Sequence, residues 1–332
     1  MKGPMVGTAQ PHSGDRWDGS DRDLRAMRRV TIGTSSIQVE VMMYRGARAP
    51  DLSPLVIINS IDLPMPPSEA FCEQMWAAGY QVIFFRRPGF GKTPSLPSAL
   101  LTEKEVKNRT PVATEAALFR LLIERLELEK ITLLGLGTAN SSCLRLAQLC
   151  PQIRFTVFAN PLFHPSIWDV IRPQWLGRMI RQTSMSRSGL KIGVRGLRAV
   201  LRRDPLWFYT QFAQKSAGDI AYIKANKPDF TQAGLYLQNM PQDVFYSDLK
   251  TALIEDTCWD PEVTKTLPAV VLSGVETIKS FSKSITAETE RLGLPIVYAD
   301  SGDLFVPYAS PDTLLEILHS EPARRAISEA SV

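Results

Sequence analysis

The stretch of this chain best placed to do chemistry is a glycine-rich turn set between an apolar run and a helix. Ile131 to Leu134 is apolar, Gly135-Leu136-Gly137-Thr138-Ala139 follows, and apolar or small residues at Cys143, Leu144, Leu146 and Ala147 mark a helix directly afterwards. Acyl transfer is the chemistry to test against such a strand–turn–helix. It needs a nucleophile, a base to take the nucleophile's proton, an acid to orient the base, and amide donors for the oxyanion. At the turn, Gly137 has no side chain; Thr138 and Ser141 lie close by, and Cys143 sits one helical turn deeper, where burial is expected. The histidines are His12, His164 and His319. Of these, His164 alone could face a pocket at the strand ends, although a lone histidine beside Phe163 and Pro165 is more often a packed residue than a catalyst.

Other chemistries are poorly served. The four cysteines (Cys72, Cys143, Cys150, Cys258) show no C-x-x-C spacing, so reduced core thiols are expected, with no disulfide framework, metal site or cofactor implied. Gly91-Lys92-Thr93 matches the end of a phosphate-binding loop, but that pattern requires a glycine where Arg86 stands.

These residues need a frame, and the chain supplies one. Val30 and Ile32, then Ile37, Val39 and Val41, alternate across Gly33-Thr34-Ser35-Ser36 as a hairpin. Residues 54–58, 81–85, 155–159, 269–274 and 296–299 are apolar runs of the kind buried on both faces of a parallel sheet. Between them come a helix capped by Ser68 and ended by Gly79, a helix over 114–128 with Leu118, Leu122 and Leu126 as its stripe, and a closing helix over 312–319. Strands alternating with helices imply a doubly wound, mostly parallel α/β sheet. Residues 1–25 read as a flexible leader, 26–161 and 263–332 as the core, and 162–262, rich in Trp and Tyr, as a helical insertion.

The turn at 135–139 resembles the G-x-S-x-G nucleophile elbow of the α/β-hydrolases, with Gly137 at the serine position. Arg86-Arg87-Pro88-Gly89-Phe90-Gly91-Lys92-Thr93 is similar to the D-x-P-G-x-G-x-S turn of the same superfamily, with Arg86 for the acid and Thr93 for the serine. The resemblance, which spans roughly residues 30–320, implies an α/β-hydrolase-like core with the insertion as a cap over a pocket. It places Thr277 at the triad acid, Asp303 at the triad histidine, and Asn59-Ser60 where the oxyanion loop often begins His-Gly. None of Gly137, Thr277 and Asp303 can fill its family role. A carboxylate near its ordinary pKa is a poor base, threonine cannot hold an imidazolium, and Glu276 beside Thr277 reads as solvated surface. The expected pocket is lined by Asn59, Ser60, Gly137, Thr138, His164, Thr277 and Asp303.

Charge adds a second theme. Residues 165–205 hold nine basic side chains against Asp169 and Asp204, giving +7 locally in a chain of net charge +4. Arg195, Arg198 and Arg202 share one helix face, with Val194, Leu197 and Leu201 on the other. An acidic protein or an anionic membrane surface fits that face; nucleic acid is disfavoured because no recognisable binding motif accompanies the charge. No apolar run approaches the roughly 18 residues of a membrane span, and the N-terminus has no apolar signal core, so a soluble, cytoplasmic protein is expected. The sequence thus favours a degenerate hydrolase retained for binding a small ligand or a protein. The alternatives are a lyase- or cyclase-type enzyme using Asp303 in a dry pocket, an atypical hydrolase, and a structural subunit docking through its arginines.

Overall fold

A computed structural model of the chain describes residues 23–32, 37–95, 111–163, 187–242, 244–245 and 261–328, with Trp175, Arg178, Met179 and Gln182. Eight strands form one sheet: β1 (Met27–Ile32), β2 (Ile37–Met43), β3 (Ser53–Ile58), β4 (Tyr80–Phe85), β5 (Ile131–Leu136), β6 (Ile153–Ala159), β7 (Ala269–Gly274) and β8 (Ile296–Ala299). Their order across the sheet is β1-β2-β4-β3-β5-β6-β7-β8. β2 runs antiparallel to both β1 and β4, and the remaining pairs are parallel.

Alternation along each strand sorts side chains onto two faces. Leu55, Ile57, Val82, Phe84, Leu134 and Leu136 point to one side, where they meet α1 (Glu69–Ala77). The intervening Val56, Ile58, Ile83, Phe85, Ile131 and Leu133 point to the other, where they meet α2 (Pro111–Arg125) and α3 (Asn140–Leu149). Both faces are covered, which is why these strands read as continuous apolar runs.

The helical insertion contributes α4 (Arg187–Arg203), α5 (Pro205–Phe212), α6 (Ala217–Ala225) and α7 (Lys227–Asn239), and α8 (Pro261–Lys265) leads back to the sheet. α5 starts as expected at Asp204-Pro205, the Asp204 carboxylate accepting from Trp207 N–H at 2.8 Å. After β7 come α9 (Lys279–Leu292), α10 (Val306–Ala309), α11 (Pro311–Leu318) and α12 (Glu321–Ser328). The four helices of the insertion are fastened to the core by polar contacts: Tyr209 Oη donates to the Asp62 carbonyl at 2.6 Å, and Arg25 makes a two-pronged pair with Asp229 at 2.9 and 3.0 Å.

Several boundaries move from their sequence positions. α2 begins and ends three residues early because Glu127 turns left-handed at φ 50°, letting Leu128 N–H close back on the Ile123 carbonyl. β5 runs on to Leu136, since Gly135 still pairs with Ile58 and Leu136 with Ala159. The last expected helix is α11, and α12 beyond it had no counterpart in the sequence reading. Within the leader expected over 1–25, Arg25 is tied to Asp229; residues 1–22 lie outside the described residues, as do the 33–36 turn, His164 and Cys258.

Candidate functional site

At the elbow, β5 enters a single tight turn (Gly137–Ala139) and leaves as α3. Gly137 adopts φ +53°, the left-handed conformation that glycine alone takes at no steric cost. A Cβ built there would stand 2.9 Å from Ser60 Oγ and 3.0 Å from Ser60 Cβ. The serine after β3 therefore fills the space into which a side chain at position 137 would project. Asn140 fixes the turn, its amide donating to the carbonyls of Gly137 at 3.0 Å and Ala159 at 2.9 Å.

The hydroxyls around Gly137 are engaged with one another. Ser60 Oγ and Thr138 Oγ1 are 3.1 Å apart, and Arg87 Nη1 donates to Thr138 Oγ1 at 3.1 Å. Arg87 is buried and forked onto the buried Glu115 carboxylate at 2.7 and 3.2 Å, and Ser142 donates to the same carboxylate. Ser141 donates to the Leu162 carbonyl at 3.0 Å. Cys143 is fully buried, and that burial pushes its thiol far above the ordinary range, so it holds no reactive thiolate. The backbone N–H groups of Thr138 and Ile61 donate to Ser60 Oγ and Thr138 Oγ1 at 3.4 Å each.

The second corner lies at the ends of β6, β7 and β8. Asp303 is buried, accepts hydrogen bonds from the Thr277 hydroxyl and the Ile278 N–H, and is pushed up to about 7 by burial and then by the neighbouring charge of Asp219. The triad-acid and triad-histidine positions are thus in contact, with a threonine donating to a carboxylate. Asn160, at φ 37°, binds both sides: its amide donates to Thr277 Oγ1 at 2.9 Å and to the Asp303 backbone carbonyl.

Asp219 comes from α6, in the insertion. Its Oδ2 accepts from Asp303 and Leu304 N–H at 3.1 and 2.7 Å, and its Oδ1 from Phe305 N–H at 3.1 Å. Burial raises it to about 6, although those three backbone donors pull the other way. Glu276, read from sequence as solvated surface, is instead a clasp. It accepts from Ser216 Oγ at 2.8 Å and from the N–H groups of Ala217, Gly218 and Gly302 at 3.2, 3.1 and 2.7 Å. Burial works against the charge, yet these donors together hold the carboxyl below its usual range. The sequence reading erred here because the partners sit in distant segments that the fold brings together.

Asn59 is buried, with both ends of its amide engaged. Its amide donates to the Met65 carbonyl at 2.8 Å and its oxygen accepts from Tyr308 Oη. Tyr308 in turn stacks on Tyr222 of α6 at 5.5 Å and meets Phe71 of α1 edge-on at 4.9 Å. Aromatic rings therefore fill the space next to the β3 end, between the insertion and the core.

Arg86 and Thr93, the departures in the second turn, have structural work. Buried Arg86 pairs with Glu40 at 3.1 Å and lies under the Tyr236 ring at 4.5 Å, and Thr93 Oγ1 accepts from Glu40 N–H at 2.9 Å. An open groove of 410 Å³ separates this turn from α7, lined by Gly89, Thr93, Gln232, Tyr236, Asn239 and Met240 among others.

The arginine triplet of α4 is divided. Arg195 and Arg202 are exposed, whereas Arg198 is half-buried and donates to the Met240 carbonyl at 2.6 Å. The structure therefore brings Ser60, Gly137 and Thr138 together at one corner and Thr277 and Asp303 at another, and turns Asn59 and Arg198 to packing. Sequence reasoning missed Asp219, Arg87 and Glu115. The first had a signal, Ser216-Ala217-Gly218-Asp219 at a helix start, where Ser216 Oγ indeed accepts from Asp219 N–H at 3.0 Å. The Arg87–Glu115 pair had none, being 28 residues apart and buried.

Solved structures share the overall fold. A bromoperoxidase from Bacillus anthracis is 16% identical with a TM-score of 0.55, the match covering 88% of this chain and 98% of that one. A thermophilic esterase from Thermogutta terrifontis is 16% identical with a TM-score of 0.57, over 91% of this chain and 100% of that one. A putative epoxide hydrolase from Klebsiella pneumoniae is 14% identical with a TM-score of 0.57, over 91% and 97% respectively. No family model matches the sequence, and no curated protein does. Identities this low speak to architecture rather than activity. With the strand order and the single antiparallel crossing at β2, they show that the chain has an α/β-hydrolase-like fold.

Proposed function

We propose that the chain is a catalytically degenerate protein of the α/β-hydrolase fold, retained for binding a small ligand or a protein, with the helical insertion serving as its cap. The observation that carries this reading is the placement of Ser60 against Gly137. The nucleophile position has no side chain, and the hydroxyl filling its space is joined to Thr138, itself held by Arg87. A nucleophile needs a base within hydrogen-bond reach. The one carboxyl at the histidine position, Asp303, is engaged with Thr277, Ile278 and Asn160.

The test is a broad panel of chromogenic esters presented to the native chain and to Gly137→Ser. Neither protein turns them over, because Asp303 and Thr277 cannot activate the new serine. Turnover well above background that disappears in Asp303→Ala overturns the reading. Native mass spectrometry of the purified chain separates the two kinds of binding, since a small ligand or a protein partner appears as a defined added mass.

A second reading has its own support. Asp303 combines burial with a carboxyl raised to about 7, the property expected of an acid–base residue in a non-hydrolytic lyase or cyclase. An NMR titration of Asp303 in the ordinary carboxylate range removes that reading and leaves the first untouched.

A further inference from the structure

We propose that the outer face of α4 and α5 is a docking surface for an anionic lipid bilayer, lying flat on the headgroups. This surface is separate from the elbow, and the inference stands whether or not a ligand binds there.

α4 is divided lengthwise. Val194 and Leu201 are buried against the helices beneath, so the opposite side faces solvent. That outer side carries Lys191, Arg195, Arg202 and Arg203, all exposed, with Ile192 among them at 69% exposure. α5 follows through the Asp204 cap and exposes Trp207 (52%) and Phe212 (58%). Further upstream, Trp175 and Arg178 are exposed as well. Large exposed apolar side chains interleaved with cations, on a helix anchored along its other face, match the composition of helices that lie in a membrane interface.

Charge selects the partner. Residues 187–242 contain nine basic and three acidic side chains. The acids are committed internally: Asp204 caps α5, Asp219 holds the 303–305 backbone, and Asp229 pairs with Arg25. Among the described residues, no carboxylate stands within ion-pair distance of Lys191, Arg195, Arg202 or Arg203. Among the described residues, therefore, these four cations are not ion-paired, and an anionic leaflet complements them. The exposed rings favour lipid over an acidic protein surface, because Trp and Phe gain by entering the headgroup–acyl boundary.

Co-sedimentation of the full chain with vesicles tests this. Vesicles of phosphatidylcholine containing phosphatidylserine bring the protein down, whereas pure phosphatidylcholine does not, and added salt weakens the binding. Combining Lys191→Glu, Arg195→Glu and Arg202→Glu lowers affinity about a hundredfold, at roughly five-fold or more per cation. The pair Ile192→Ser and Trp207→Ser keeps the salt dependence but loses most of the residual binding in high salt. Unchanged circular dichroism confirms that these surface variants fold. The proposal fails if phosphatidylserine vesicles do not bind the chain, or if the charge-reversed variant binds them equally. It fails too if polyglutamate beads retain the chain as strongly as the vesicles do and the Ile192/Trp207 pair is without effect, which marks an acidic protein surface instead.

Discussion

At the elbow, side chains from four parts of the chain meet through hydroxyls and one paired guanidinium: Ser60, Thr138, Arg87 with Glu115, and Ser142. Across the sheet ends, Asp303 and Asp219 crowd two carboxyls into a buried corner, held by Thr277, Ile278 and the 303–305 backbone. The two corners occupy the places where a hydrolase keeps its nucleophile and its base. One has become a neutral, mutually satisfied network. The other retains groups that titrate near neutral pH. The two corners are thus built differently: at the elbow Ser60 fills the space beside Gly137, while Asp303 and Asp219 form part of the fastening of the inserted helices.

The contrast can be broken at either corner. The largest effect is expected from Arg87→Met, which leaves the buried Glu115 carboxylate without its cation; stability to urea should fall by about 3–5 kcal/mol. Asp219→Ala strips the acceptor from three backbone N–H groups, for about 3 kcal/mol, and hydrogen exchange at 303–305 should quicken selectively.

Asp303→Asn should act in the opposite sense. A carboxyl raised in the folded state holds a proton that the unfolded chain has released. The stability it contributes is fully present below about 4, the unfolded value, and is lost as pH rises through about 7 for Asp303 and about 6 for Asp219. Asp303→Asn should therefore stabilise the chain at pH 8 by about 1–2 kcal/mol and flatten the fall in stability between about pH 4 and 7, as read by urea midpoints across pH. Glu276 is shifted the other way, so its contribution is present above the usual carboxylate range and lost only in more acidic solution. The smallest change is Ser60→Ala, within about 1 kcal/mol, because the hydroxyl it removes has only neutral partners.

The sheet was legible because the buried strands wrote themselves as apolar runs and some of the helices began at side-chain caps such as Ser68 and Asp204. The elbow was legible because its glycine positions are fixed by backbone geometry, and Gly137 does take the left-handed conformation. Polar partners between distant segments were not legible. Glu276 reaches Ser216 and Gly302 across 60 and 26 residues, and nothing local in Gly274-Val275-Glu276 marks it as a clasp. Asn59 and Ser60 are adjacent in sequence, yet Asn59 turns to Met65 and Tyr308 while Ser60 lies against Gly137 and Thr138, and nothing local in the sequence separates them.

The fastening of the inserted helices bears on how the molecule can move. Arg25 with Asp229, Tyr209 with Asp62, Asp219 with the 303–305 backbone and Glu276 with the start of α6 join the insertion to the N-terminal strand, the β3 loop and the β7 and β8 loops. Among the described residues, these attachments run in several directions and oppose a swing of the layer about one axis. Opening it means breaking charge-assisted hydrogen bonds on more than one side at once, so the insertion and the sheet should unfold as one cooperative unit.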